Sequence, residues 1–316
     1  MKAYFKKVVI ALTTISLVTS CTKDDDGVVD MGAESYDTTF KITDAPIDNA
    51  NVEAVFVTVS DIKVDGISLE GFNKTTFDLA ALVNGQTKTL GNLKLEAGSY
   101  SNIELELDYA MDAAGNAPGC YVELVNGEKD QIEATSDKIN ITDTYEIFAS
   151  NTNEIIIDFD LRKTIKENQG SVSSNFDFVT MAELSAGIRT VNKEATGMIS
   201  GTANDTQNTS DKIIVYAYEK GTFDAEVETK GKGDSNVTFA NAVTSSEVSG
   251  LSNEYSLNFL DEGEYELVFA SYSEEGDMIT FNSLLEVEST TGLNLAGLSV
   301  TSAIQLSANV TITGTK

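Results

Sequence analysis

The 316-residue chain contains no histidine and no tryptophan, and only two cysteines, two prolines and two arginines. Without histidine, Ser-His-Asp and Cys-His catalytic groupings and His-ligated metal sites cannot be built from it. Without tryptophan, a sugar-stacking platform has only Tyr and Phe to draw on. Cys120 is the one thiol left if Cys21 is modified, so no internal disulfide can form. A small core residue is the favoured role for Cys120 over a reactive thiol. The scarcity of proline, with abundant Thr, Val, Ile and Tyr, favours strands over helices. Apolar residues make up 41% of the chain, which excludes a wholly disordered polypeptide. No Walker loop or dinucleotide fingerprint occurs.

Positive charge is also scarce. Lys and Arg together number 21 against 50 Asp and Glu, a net charge of −29. Nucleic acid is excluded as a partner, because phosphate neutralisation needs basic side chains. Peripheral attraction to anionic lipid is excluded on the same ground. Such charge suits solubility at a crowded surface; divalent cation binding is the other reading.

The start of the chain has a different character. Lys2, Lys6 and Lys7 form a positive region, and Val8 to Val18 an apolar run too short to span a bilayer. Thr19 and Ser20 then precede Cys21. The arrangement resembles the lipobox of bacterial lipoproteins. That resemblance implies that residues 1–20 are a signal peptide and that the Cys21 thiol is diacylated, each buried methylene contributing about 0.8 kcal/mol to anchoring. Removing the leader takes three of the 21 basic side chains and none of the 50 acidic ones, a net of −32. Lys23, Asp24, Asp25 and Asp26 resemble the charged export tag that sends some lipoproteins to the outer face of the outer membrane. Residues 21–35 otherwise read as a flexible acidic tether. Asp24-Asp25-Asp26-Gly27 lacks the alternating ligands and terminal Glu of an EF-hand.

Beyond residue 35 the hydrophobic pattern has period two. Val55, Val57 and Val59 share a face within Val52 to Val64. Ile103, Leu105 and Leu107 alternate with Glu104, Glu106 and Asp108. Ile155, Ile157, Phe159 and Leu161 alternate with Ile156, Asp158 and Asp160, a pattern read as a strand with one wet face. Asn84-Gly85 and Asn126-Gly127 are hairpin dipeptides. Short helical turns are expected near Phe77 to Val83 and Leu161 to Glu167. Further strands are expected at 213–218, 237–248, 255–260, 264–273, 278–288 and 304–313. The expected fold is all-β: two tandem antiparallel β-sandwich domains, 36–194 and 195–316. Leu95 to Tyr100 and Leu260 to Tyr265 echo each other. In each, a Gly permits a turn and a Tyr enters the next strand, placed to return its hydroxyl to nearby backbone as in a tyrosine corner.

Ile42-Thr43-Asp44-Ala45-Pro46, Val52 to Val55, Phe77-Asp78-Leu79, Leu95 to Tyr100 and Asp158 to Ile165 follow in an order that resembles a bacterial lipoprotein family, domain of unknown function 4382. The resemblance spans 36–194 and implies a place and a fold but no reaction. Gly197-x-Ile199-x-Gly201, Ile213 to Ala217 and Leu260 to Tyr265 are similar to prealbumin-like, carboxypeptidase-regulatory-like modules, which implies a spacer or binding unit.

Candidate chemistry is sparse. Asp158, Asp160 and Arg162 share strand parity, neighbours lying roughly 6.5–7 Å apart. The two carboxylates could bind Ca²⁺ or act as an acid–base pair. Arg162 could instead pair with Asp160, and a structural or solvent-facing role is favoured. No other metal site and no other cofactor is implied. Ser60-x-x-Lys63 matches an acylating-enzyme pattern, but three-residue spacing in a strand puts the two on opposite faces. Tyr216, Tyr218 and Tyr272 could form an aromatic strip for glycan or peptide, with packing the favoured use. The expected function is therefore a surface-exposed outer-membrane lipoprotein, held in the membrane through its N-terminal lipid. It would be a non-catalytic binding or scaffolding module for glycan or protein ligands. A pilin-like structural subunit is the alternative, and a His-free carboxylate hydrolase the third reading.

Overall fold

Alternating β-branched residues build strands throughout the computed structural model, which describes residues 34–45, 52–150, 152–168, 176–206, 208, 210–275 and 278–316. The leader, Cys21, Lys23 and Asp24 to Asp26 lie outside the described residues. The N-terminal half opens with β1 (Ser35–Thr43), β2 (Val52–Val64), β3 (Ile67–Ser68), β4 (Thr75–Asp78), β5 (Lys88–Glu96) and β6 (Gly98–Tyr100). It continues with β7 (Ile103–Leu107), β8 (Tyr121–Leu124), β9 (Lys129–Gln131), β10 (Lys138–Ile141), β11 (Tyr145–Ile147) and β12 (Asn153–Phe159). Helix α1 (Leu161–Thr164), β13 (Ile165–Glu167), β14 (Phe176–Phe178), α2 (Met181–Ala186) and β15 (Ile188–Asn192) complete it. The C-terminal half holds β16 (Thr196–Asn204), β17 (Lys212–Glu219), α3 (Ala225–Glu228), β18 (Thr244–Glu247), β19 (Glu254–Asp261) and β20 (Gly263–Glu275). It ends with β21 (Met278–Ser289), β22 (Leu298–Val300), β23 (Gln305–Ser307) and β24 (Val310–Thr315).

The fold is all-β. In the N-terminal half a sheet of order β15-β12-β1-β5 faces one of order β10-β7-β2-β8-β9, with β3 and β4 also on β2. Phe40 and Ile42 from β1, Val55 and Val57 from β2, Ile103 and Leu105 from β7, and Ile155 and Ile157 from β12 interleave in one core. The C-terminal sheet runs β18-β17-β20-β21-β24-β16-β19, with β22 on β20 and β23 on β16. It has apolar clusters on both sides, because β17 is buried on both faces. Ile213, Val215 and Ala217 enter one cluster, while Ile214, Tyr216 and Tyr218 enter the other with Phe239 and Tyr272. Pairing is antiparallel except for β1 on β12 and for β23 and β24 on β16, which are parallel.

Local chemistry follows the sequence closely in places. Tyr100 donates its hydroxyl to the Glu96 carbonyl (3.1 Å) and Tyr265 to the Asp261 carbonyl (2.9 Å), so both echoes are tyrosine corners. Asn126-Gly127 closes the β8–β9 hairpin. Asn84-Gly85 makes a tight turn with both residues at positive φ (56° and 78°), yet the strands around it join different sheets. Ser60 sits at a bulge in β2, between Val59 and Asp61, so simple parity fails there. Ser60 donates to the Glu106 carbonyl, and Lys63 lies among Asp61, Glu104 and Glu106, whose carboxylates keep it protonated. Neither residue has a nucleophile's surroundings. Tyr216 and Tyr218 are fully buried; Tyr216 stacks on Phe239 at 4.2 Å and shares a hydroxyl hydrogen bond with Tyr272. They are core residues. Cys120 is also in the core, where burial pushes its thiol up to about 12.

Candidate functional site

The strand that begins at Asn153 ends at Phe159, so Asp160 and Arg162 leave its parity: Asp160 is the N-cap position of α1. The face expected to be wet is covered. Asp158 is 3% exposed, Asp160 4% and Arg162 7%, because the C-terminal half packs over them. Asp158 Oδ2 accepts from Arg189 Nε (2.9 Å) and lies 2.8 Å from Nη2. Asp160 Oδ2 accepts from Arg162 Nη2 (2.8 Å), with Lys163 Nζ 3.4 Å away. The same cations reach across to backbone carbonyls. Arg162 Nη1 donates to Phe239 O (2.7 Å) and Thr238 O (3.2 Å), Arg189 Nη1 to Phe259 O (2.6 Å), and Lys163 Nζ to Ala242 O. Phe239 and Phe259 have φ of 51° and 54°, a backbone state that bulky residues avoid. Both arginines of the chain thus hold the carbonyls of strained phenylalanines. The Arg162 guanidinium also lies 5.2 Å over the Tyr216 ring.

A third carboxylate joins the network. Asp44 Oδ1 accepts from the Leu161 N–H (2.9 Å). Asp44 Oδ2, Asp158 Oδ1 and Asp160 Oδ1 are buried and have no partner among the described residues. Burial drives the Asp44 carboxyl well above its usual range; the Leu161 N–H opposes this, and the charges of Asp160 and Asp158 add to it. Burial also raises Asp158, against the pull of Arg189. Burial lowers Lys163, with Asp160 acting the other way. Among the described residues no three His, Cys, Asp or Glu side chains gather as metal ligands. At one flank Glu183 in α2 caps its own helix with Thr180 and accepts from Ser235 N (3.0 Å) and Oγ (2.6 Å) of the other half. Burial would raise Glu183, but the hydrogen bonds from Ser235 and Thr180 outweigh it and hold the carboxyl at about 2. Sequence reasoning paired Asp160 with Arg162 and missed Asp44, Lys163 and Arg189. Arginine scarcity was the available signal, since a chain with two arginines has placed both at one seam.

Beside this seam lies a groove of about 720 Å³. Its floor is the outer face of β16, β19 and β23, and Val83 and Asn84 of the N-terminal half form one wall. The floor follows strand alternation. Ile199, Ala203 and Leu257 point into the core, so Ser200, Thr202, Glu254 and Ser256 point out. Register sets Ser200 between Ser256 and Ser307, Thr202 beside Glu254, and Met198 beside Gln305. Adjacent strands lie about 4.8 Å apart, so three serine hydroxyls form a row across the sheet. Gly201 permits this close packing, because a Cβ there would meet Ala308 O at 2.2 Å, the carbonyl that Tyr255 holds through its hydroxyl. A second groove of about 480 Å³ shares Met198 and Gln305 with the first. It adds Phe259, Ile304 and the N-terminal half's Gly85 and Thr87, making one trough along the seam. The Ser-x-Thr, Glu-x-Ser and Gln-x-Ser alternations of these strands were present in the sequence but carry no functional signature until three strands align.

The order of elements through α1 and the buried Asp44–Asp158–Asp160 cluster involve the same residues that carried the family resemblance. Residues 35–175 match the family model of a domain of unknown function, DUF4382. The matched DUF4382 segment stops before α2 and β15, although β15 completes the sheet by pairing with β12. No curated protein matches the chain. Among solved structures, the Bacillus anthracis TIE protein aligns over 88% of this chain and 34% of its own, at 12% identity and TM-score 0.19. The major pilin subunit BcpA of Bacillus cereus aligns over 92% of this chain and 77% of its own, at 11% identity and TM-score 0.20. The major pilin of Streptococcus pyogenes aligns over 90% and 97%, at 9% identity and TM-score 0.18. This chain spans about a third of the TIE protein's length. Scores this low do not establish a shared topology.

Proposed function

We propose that the protein is a lipid-anchored module of the outer-membrane surface that binds an external ligand without transforming it. The observation that carries the binding role is the trough along the seam, whose two sides are fixed by buried ion pairs and carbonyl contacts. Ligand sites favour such junctions between packed units. The carboxylates considered for acid–base work support a non-catalytic role, because Asp158 and Asp160 are each spent on a guanidinium. Ser60 and Lys63 are spent on Glu106 and its neighbours. The lipobox at Cys21 and the Lys23–Asp26 tag support the address. Metabolic labelling with an alkyne fatty acid, followed by protease shaving of intact cells, tests both. Label should enter the wild-type protein and be lost in Cys21→Ala, and shaving should remove the protein while a cytoplasmic control survives. Absence of label, or full protection from protease, would end the anchoring or the surface claim respectively.

A further inference from the structure

We infer that the trough along the seam takes a neutral glycan chain, with the serine row as its hydroxyl-reading floor. The inference rests on the binding role proposed above and names its ligand class. The floor is a sheet face, not a sheet edge. Strand β16 is paired on both sides, by β19 and by β23 and β24, so its backbone groups are consumed. An extended peptide therefore cannot add a strand to β16, and recognition along this central strand falls to side chains. Those side chains are hydroxyls and amides, each able both to donate and to accept. They stand about 4.8 Å apart across strands and roughly 6.5–7 Å apart along them. A ligand dense in hydroxyl groups meets such an array at many points, whereas an apolar ligand would strip the floor of water without replacing its hydrogen bonds.

Charge narrows the class. No Lys or Arg lines the larger groove, while Glu247 and Glu254 do; Lys193, which lines the adjoining groove beside Glu194, is paired with Glu154 at 2.7 Å. Sulfated, phosphorylated or uronic-acid chains would meet like charge there and no basic partner. Glu247 is committed to Lys212 at 2.8 Å. Glu254 has no ion pair among the described residues and offers a carboxylate to sugar hydroxyls, which makes charge-assisted hydrogen bonds. The adjoining groove supplies the other half of sugar recognition. Met198, Phe259 and Ile304 line it, and Ile304 is 41% exposed, so ring C–H faces find apolar contact without tryptophan. One end reads hydroxyls, the other covers ring faces, and Met198 with Gln305 joins the two.

The test uses the full-length protein in detergent and isothermal titration with gluco-, manno- and xylo-hexaoses, beside a heparin oligosaccharide and oligolysine. At least one neutral hexaose should bind, with an affinity unchanged from low to high salt. Ser307→Trp fills the floor and should weaken that binding about tenfold or more. Ser200→Ala removes the central hydroxyl without added bulk and should weaken it severalfold, which keeps the test sound should the tryptophan variant fail to fold. Melting temperatures of the folded variants should match wild type. Failure of every neutral hexaose to bind would overturn the inference, as would binding confined to heparin or oligolysine, or binding that survives both substitutions. Because the titration uses purified protein, a negative result leaves the anchoring and surface claims to the labelling and shaving experiment.

Discussion

At the scale of single residues, the seam concentrates the chain's costliest side chains. Asp44 is the clearest case: its Oδ1 is served by the Leu161 N–H, and among the described residues its buried Oδ2 has no partner and no cation pairs with it. Its folded pKa is raised above the unfolded value of about 3.9. The folded state therefore holds the proton more tightly, and stability falls as pH rises from about 3.9 through the folded pKa. Asp44→Asn keeps the acceptor for Leu161 and removes the charge. It should raise the melting temperature at pH 7 by about 2–6 °C, from about 1–2 kcal/mol, and have little effect near pH 3.5. Scanning calorimetry at the two pH values checks this, and an equal effect at both would reject the buried-charge account. Arg162 is the opposite case. Arg162→Ala leaves Asp160 with Lys163 as its one cation among the described residues and frees the strained Phe239 carbonyl. Breaking a buried pair in this way costs about 3–5 kcal/mol, visible as a lower urea midpoint at unchanged slope. Arg162→Lys should recover little of it, because one ammonium cannot serve Asp160, Thr238 and Phe239 in the planar geometry of a guanidinium.

At the scale of elements, what could be read from sequence was what repeats locally. The thirteen residues of β2 and the five of β7 were visible in their alternation, and the tyrosine corners in a Gly–x–Tyr spacing. The bulge at Ser60 was not, because one inserted residue breaks a period without changing composition. Nor was the burial of Asp158. A carboxylate alternating with isoleucines looks solvated until a second body covers it, and that cover comes from residues 238–259, far along the chain. Register across β16, β19 and β23 is likewise non-local, so the serine row could not be seen. The same non-locality gives a test of where the N-terminal fold ends. Leu184 is fully buried in its core, and β15 pairs with β12 along Ile155 to Phe159. A chain ending at residue 175, the limit of the DUF4382 match, leaves that strand edge bare over apolar residues. It should aggregate or lack a cooperative melt, whereas a chain ending at residue 192 should be measurably more soluble. Size-exclusion chromatography and circular dichroism on the two truncations decide it, and a monomeric, cooperatively melting 1–175 fragment would show that α2 and β15 are dispensable.

At the scale of the whole molecule, the question is whether the halves unfold together. Glu34–Lys316 cluster as one compact unit; the buried clusters of the two halves share no residue, and Val237 of the second half packs against the core of the first. The polar coupling between halves runs through the seam: Arg162, Lys163 and Arg189 on carbonyls, Glu183 on Ser235, and Ser246 Oγ on Asn84 Oδ1. Packed units joined through small polar interfaces ordinarily move and melt separately. Here the interface carries buried charges, and separation would strand Asp158 and Asp160 beside cations that had lost their carbonyls. One calorimetric transition is expected near neutral pH, with equal calorimetric and van 't Hoff enthalpies. Changing Arg162, Lys163 and Arg189 together to Met should split it into two, because each half keeps its own core while the link is reduced to Glu183–Ser235, Ser246–Asn84 and the Val237 contact. Acid should act in the same direction through Glu183. Its pKa is held at about 2, so its contribution is complete above the unfolded value of about 4.3 and is lost as pH falls toward 2. Glu183→Gln should accordingly lower the melting temperature at pH 7 and converge with wild type near pH 2. Two transitions in the unmodified protein at neutral pH would mean that the seam holds the halves in register without making them one folding unit, and the trough would then open and close on its own.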